Sequence, residues 1–164
     1  FLPRDFFSKT LKTNNLVHDF EIKKIYPDTI EVKIKKTEFL GKINIDGNSF
    51  LIGSNGKLIY SDYTKKNIPQ VFGKIKIDNF FEFVKIIRHS KFDFNTITEI
   101  YFFPSGRWDV KTKNNKLFKL PLENLKYNLN SIYEIYTNEE FINSKIIDLR
   151  FKGKIIFSND WKRN

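Results

Sequence analysis

The stretch KIYPDTIEVKIKKTE, Lys24–Glu38, decides how the first part of the chain folds. A Tyr-Pro-Asp-Thr turn is followed by Ile30, Val32 and Ile34 alternating with Glu31, Lys33 and Lys35. Strict period two over β-branched residues predicts a strand over 29–35. Pro27 pre-sets its own φ and Asp28 tolerates turn geometry, so the two make the turn. Upstream, Phe20 and Ile22 share one face of a second strand over 18–25. Before it, 3–16 reads as a short helix, with Pro3 in the first turn and Phe7 and Leu11 on one face. Asn14 and Asn15 suit the exit from that helix. A hairpin with one helix beside it can bury only the face turned to the helix. Phe6, Phe7 and Leu11 are therefore expected on Phe20, Ile22, Ile30, Val32 and Ile34.

Beyond Glu38 the strands shorten and the turn signals crowd together. Asp46-Gly47 and Asn55-Gly56 are two-residue hairpin signals, separating strands over 41–45, 49–52 and 57–60. A loop is expected over 69–73. A helix follows over 78–89, with Asp78 as N-cap and Phe80, Phe81, Val84 and Ile87 inward. Three strands over 98–103, 107–112 and 116–120 form a meander through Ser105-Gly106 and Asn114-Asn115. A second helix over 122–136 points Leu122, Leu125, Leu129, Ile132 and Tyr133 inward. Strands over 145–151 and 154–157 close the chain around Lys152-Gly153. Strands and helices without regular alternation predict an α+β fold.

The chain has 164 residues, and 16% of them are aromatic, enough ring surface to require a packed core. Its net charge of +10 suggests an acidic partner such as nucleic acid or an anionic membrane surface. Only five of the 29 basic residues are Arg, however, and they are scattered, whereas phosphate readers cluster Arg for bidentate contacts. Alanine is absent, and Lys, Asn, Ile, Phe and Tyr abound, as an AT-rich genome would also produce. No apolar run approaches the roughly 20 residues of a membrane span. The sequence starts at Phe1 without Met and without a signal-like segment, so it reads as a portion of something longer.

Catalytic and metal chemistry find little support. With no Cys, disulfides, thiolate catalysis and Cys-based metal sites are excluded. Gly53-Ser54-Asn55-Gly56-Lys57 has two residues between its glycines and Leu58 after the Lys, so it reads as a hairpin turn and not as a phosphate loop. His18 and His89 lack a spaced ligand partner, and Glu139-Glu140 sits in a mixed-charge turn. Lys alternating with Phe and Ile over 116–120 and 152–157 is the pattern of ordinary strands, although it could line a single-strand nucleic-acid groove. Neither an enzyme nor a cofactor is expected.

Several motifs, taken in order, carry a resemblance. Asn14 to Ile34, with its Tyr-Pro-Asp-Thr turn, resembles the closing part of a POTRA domain. Phe50 to Tyr60, Ile68-Pro69-Gln70-Val71-Phe72-Gly73, Arg107-Trp108-Asp109-Val110 and Ile147-Asp148-Leu149-Arg150-Phe151 resemble successive segments of the FtsQ/DivIB bacterial cell-division family. The family's Glu-Arg-x-Pro-x-Ala after the hairpin stands here as Lys35 to Gly41, and Asn115 replaces a Gly. The resemblance implies the C-terminal part of a POTRA domain over 1–38, its first strand and helix lying before this chain. A mixed β domain follows over 39–158, with an antiparallel meander and two helices, then a tail over 159–164.

What the resemblance implies about function is equally specific. The family anchors by a single span in the inner membrane and acts from the periplasm as a non-catalytic divisome scaffold at the septum. Its partners FtsB and FtsL bind the second domain, FtsB by adding a strand at the last β-strand. Here that edge would comprise Arg150, Phe151, Lys152, Gly153, Lys154, Ile155, Ile156 and Phe157. Arg150 is expected to pair with an acidic residue of the added strand and Phe151 to anchor it; internal pairing of Arg150 and burial of Phe151 in the core is the competing arrangement. Other POTRA-bearing assembly or secretion components, and a basic nucleic-acid-binding module, are the alternative functions.

Overall fold

The computed structural model describes residues 4–61, 67–138 and 143–159. The chain forms two compact units, Phe1–Thr64 and Lys65–Asn164.

In the first unit, helix α1 (Arg4–Thr13) packs against the hairpin of β1 (Val17–Ile25) and β2 (Thr29–Lys36). Pro3 lies outside the described residues. The register places Phe20 opposite Ile34, Ile22 opposite Val32, and Lys24 opposite Ile30. On the other face three pairs of opposite charge meet across the strands, Asp19 with Lys35, Glu21 with Lys33, and Lys23 with Glu31. Phe7, Leu11, Phe20, Ile22, Ile30 and Val32 are half-buried, as their face requires. Phe6 and Ile34, expected in the same cluster, stay 55% and 51% exposed. The reason is length. Ten helical residues reach about 15 Å, while a nine-residue strand spans about 30 Å, so α1 covers only part of the hairpin.

The same unit continues through β3 (Phe39–Ile45), β4 (Asn48–Gly53) and β5 (Leu58–Tyr60), paired antiparallel in that order. Asp46 and Gly47 both take positive φ, 49° and 81°, the geometry that the Asp-Gly signal predicts. The Ser54–Lys57 turn is occupied with the chain itself. The Asn55 carboxamide donates to the carbonyls of Asn15 and Val17 at 2.9 and 3.0 Å. Lys57 Nζ donates to the Lys12 carbonyl at 2.7 Å, and Ser54 Oγ meets His18 Nδ1 at 3.0 Å.

Among the described residues, the second unit holds six strands and two α-helices. They are β6 (Gln70–Phe72), α2 (Ile77–Arg88), β7 (Ile97–Phe102), β8 (Trp108–Thr112), β9 (Leu117–Lys119), α3 (Leu125–Thr137), β10 (Ile146–Asp148) and β11 (Ile156–Ser158). The strand order is β11-β10-β9-β8-β7-β6, with β11 at its end. Pairs β6–β7 and β9–β10 are parallel and the rest antiparallel. Parallel neighbours need a crossover, and α2 and α3 supply the two. The sheet is therefore mixed, within the expected α+β class.

One registered row crosses all six strands: Val71, Ile100, Val110, Phe118, Ile147 and Phe157. The first five are at most 2% exposed. The adjacent row, on the opposite face, is Phe72, Tyr101, Asp109, Lys119, Asp148 and Ile156. The core collects Phe80, Phe83, Val84 and Ile87 from α2 and Leu129, Ile132 and Ile135 from α3. Trp108 stacks on Phe83 with ring centroids 4.5 Å apart.

Several expected boundaries shift. The loop over 69–73 contains β6, because pairing with β7 makes a strand of three residues too short to show a period. Helix α2 begins at Ile77 after Lys76, so Asp78 is not its cap but an acid in its first turn, where the helix dipole favours it. Phe83, not Phe81, completes the buried face. Helix α3 starts only after Asn124, which takes φ 53°. Leu122 thus falls outside the helix, and both it and Tyr133 are exposed. The strand over 145–151 stops at Asp148, whose carboxylate accepts from the Arg150 backbone N–H at 3.1 Å and turns the chain out of the ladder. Glu139-Glu140 and all of the tail but Asn159 lie outside the described residues.

Candidate partner-binding groove

A groove of about 800 Å3 opens where the β8 entry, the segment before α3 and the end of β10 converge. Leu120, Pro121 and Leu149 contribute apolar surface to its lining, together with Leu122 and Tyr127 from the approach to α3 and its first turn. Arg107, Arg150 and Lys152 bring positive charge, and Glu123 is the acid among its lining residues.

The eight residues singled out from the sequence divide by place. Arg150, Phe151, Lys152 and Gly153 line the groove. Lys154 and Ile155 lead away from it, and Ile156 and Phe157 enter β11. Gly153 takes φ 71°, and the Lys154 N–H donates to the Phe151 carbonyl at 3.1 Å, closing the turn. Phe151, Ile155 and Ile156 are exposed apolar side chains, whereas Phe157 is half-buried in the core row. Arg150 is paired internally. Its Nε and Nη2 bind Asp148 side-on, at 2.8 Å to Oδ1 and 2.6 Å to Oδ2. Arg107, Leu122 and Tyr127 are not among those eight, because they arrive from segments distant in sequence.

Arg107 repeats the arrangement of Arg150. Its Nε and Nη2 bind Asp109 Oδ1 and Oδ2 at 3.1 and 3.2 Å. Asp109 also accepts from the Leu120 N–H at 3.3 Å. Both aspartates are buried, 3% exposed for Asp109 and 7% for Asp148. Their acidities nevertheless move in opposite directions. Burial raises the pKa of Asp109 above the ordinary value, and the charge and hydrogen bonds of Arg107 recover only part of that. Burial also pushes Asp148 up, but hydrogen bonds from the Arg150 side chain and backbone, with its charge, outweigh it and hold Asp148 low. The same pairing raises Arg150.

Other chemistry is sparse. Among the described residues, no group of three or more His, Asp or Glu is placed to hold a metal. His89 Nδ1 lies 2.7 Å from the Lys85 carbonyl in its own helix. No helix among the described residues is long and apolar enough to cross a membrane.

Comparison with known proteins agrees with the motifs. The family model described as Cell division protein FtsQ/DivIB, C-terminal, matches residues 42–150. The match thus contains Arg107-Trp108-Asp109 and ends on Arg150. A Cell division protein FtsQ of Rhizobium radiobacter is 26% identical over 142 residues, covering 84% of this chain and 68% of that protein. The major extracytoplasmic domain of DivIB from Geobacillus stearothermophilus aligns with a TM-score of 0.44 at 13% identity, over 58% of this chain and 87% of that one.

Proposed function

The chain belongs to the FtsQ/DivIB cell-division family, and we propose that within it the protein is a non-catalytic periplasmic scaffold that binds FtsB and FtsL. The periplasmic place and an inner-membrane anchor come with the family resemblance. The observation that carries the reading is the position of β11 at the end of the strand order, beside a groove with a basic and apolar lining. A terminal strand can accept an extended segment through main-chain hydrogen bonds, while pockets beside it select side chains. Ile156 offers an exposed apolar contact on the strand, and Phe151 offers one at the groove. Arg107, Arg150 and Lys152 favour an acidic segment there.

The test is capture of the cognate FtsB periplasmic segment by purified protein. Phe151→Lys and Ile156→Lys should each abolish capture while the circular dichroism of the folded chain stays unchanged. Both side chains are about half exposed, so the fold tolerates a Lys at either position, while the apolar contact offered to an added strand is lost. Undiminished capture by both variants would sink the edge-strand reading.

A further inference from the structure

Arg107-Trp108-Asp109 and Asp148-Leu149-Arg150 are one device written in opposite chain directions. In each, the Arg and Asp are two residues apart, with the Asp in a strand and the Arg just beyond its end. The residue between them, Trp108 or Leu149, is buried. Each aspartate engages the same side of its guanidinium, through Nε and Nη2. Each guanidinium also lies over a phenyl ring: Arg107 is 4.1 Å from the Phe103 centroid and Arg150 5.9 Å from that of Phe151. Asp109 and Asp148 are registered on either side of Lys119. Two strand spacings put the two anchors on the order of 10 Å apart.

A guanidinium has two edges able to grip a carboxylate as a fork. Side-on pairing uses Nε and one Nη; the end-on edge, carrying Nη1 and Nη2, remains for a second acceptor. Both arginines line the same groove. We propose that Asp109 and Asp148 are positioning residues, which hold Arg107 and Arg150 so that two end-on edges stand preformed for two carboxylates of an acidic partner segment. The inference rests on the reading of this groove as the partner site. An unanchored Arg must be ordered when the partner arrives, and the anchors remove that cost in advance.

The first test needs no partner. In 15N-labelled protein, the Nε–H protons of Arg107 and Arg150 should exchange with water far more slowly than in free arginine, and Asp148→Asn should speed that of Arg150 alone. The second is the dissociation rate of the cognate FtsB periplasmic segment from immobilised protein. Asp148→Asn should raise it about three- to tenfold, with the melting temperature held within a few degrees. Asp148→Glu keeps the charge but moves the fork by one methylene, and should raise it as well. Lys111→Gln, which breaks the 3.0 Å ion pair with Glu99 away from the groove, should leave it unchanged. Arg107→Lys and Arg150→Lys keep the charge without the fork and should each raise the rate. If neither Lys variant changes binding, the groove is not the partner site and the reading of function fails. If both change it while Asp148→Asn and Asp148→Glu do not, the groove stands and the positioning role is overturned. Nε–H exchange as fast as in free arginine also overturns it, and that measurement decides the matter should Asp148→Asn fail to fold.

Discussion

Asn55 donates from its Nδ2 to the carbonyl of Val17 at 3.0 Å, across 38 residues of sequence. The same nitrogen reaches the carbonyl of Asn15 at 2.9 Å, so one carboxamide fixes both ends of the passage from α1 into β1. Between residues 5 and 36 no side chain is fully buried. This part of the chain is therefore attached to the β3–β5 strands largely by polar bonds, with little apolar burial to help.

From this, Asn55→Ala should lower stability by about 1–3 kcal/mol, the net worth of two hydrogen bonds. The loss should be local. Amide exchange should quicken over α1, β1 and β2 and stay unchanged over β7 to β9. Unchanged exchange over α1 and β1 would show that apolar contacts hold the hairpin without Asn55.

The two arginine-bound aspartates should leave opposite marks on the pH dependence of stability. Asp148 is held below its unfolded value, so its contribution is present above an unfolded pKa of about 3.9 and is lost as pH falls through the folded value. Asp109 is raised, so its contribution is full below the unfolded value and is lost as pH rises through the folded one. Urea denaturation between pH 3 and 7 should show the advantage of wild type over Asp148→Asn shrinking toward acid. Its advantage over Asp109→Asn should shrink toward neutral pH. Differences that move in the same direction would contradict this assignment.

Two glycines with positive φ should respond differently to a methyl group. At Gly73, φ is 103°, and an added Cβ would collide with the Phe102 carbonyl oxygen. Backbone oxygen cannot yield as a flexible side chain would, so Gly73→Ala should cost more than ~3 kcal/mol. At Gly153, φ is 71° with nothing within 4 Å of an added Cβ. Only the left-handed conformation is penalised there, and Gly153→Ala should cost about 1–2 kcal/mol. Equal losses in melting temperature would refute the distinction.

How much of this was legible in the sequence follows from the range of the forces involved. The β1–β2 hairpin declares itself because period two and the Pro-Asp turn are local signals. Asp46-Gly47 does so for the same reason. Strand β6 is hidden, because Val71 is a sheet residue only through its pairing with Ile100. The start of α3 is hidden too, since the left-handed turn at Asn124 cuts an apolar pattern that runs on through it. Asp-Leu-Arg marks half of the groove. Arg107, Leu122 and Tyr127 complete it from segments that only the folded sheet and α3 bring near Arg150. The internal pairing of Arg150 could not be read from spacing alone, because an i, i+2 acid–base pair in a strand is equally free to face a partner.

The last prediction compares one substitution at two depths. Val32 and Val110 are both strand valines, yet Val32 is half-buried beside a single short helix, while Val110 is 0% exposed in the middle of the registered core row. An Asp at 110 would place a carboxylate among Ile100 and Phe118, with no water and no partner, so Val110→Asp should cost more than ~4 kcal/mol and leave Lys65–Asn164 unfolded. An Asp at 32 can turn toward solvent at the uncovered part of the hairpin. Val32→Asp should cost about 1–2 kcal/mol and disturb the hairpin while the second unit stays folded. Two-dimensional amide spectra separate the cases. Resonances of β7 to β9 should keep their positions in Val32→Asp and collapse to unfolded shifts in Val110→Asp. Collapse of those resonances in Val32→Asp would mean that the half-covered hairpin carries far more of the stability than its burial indicates.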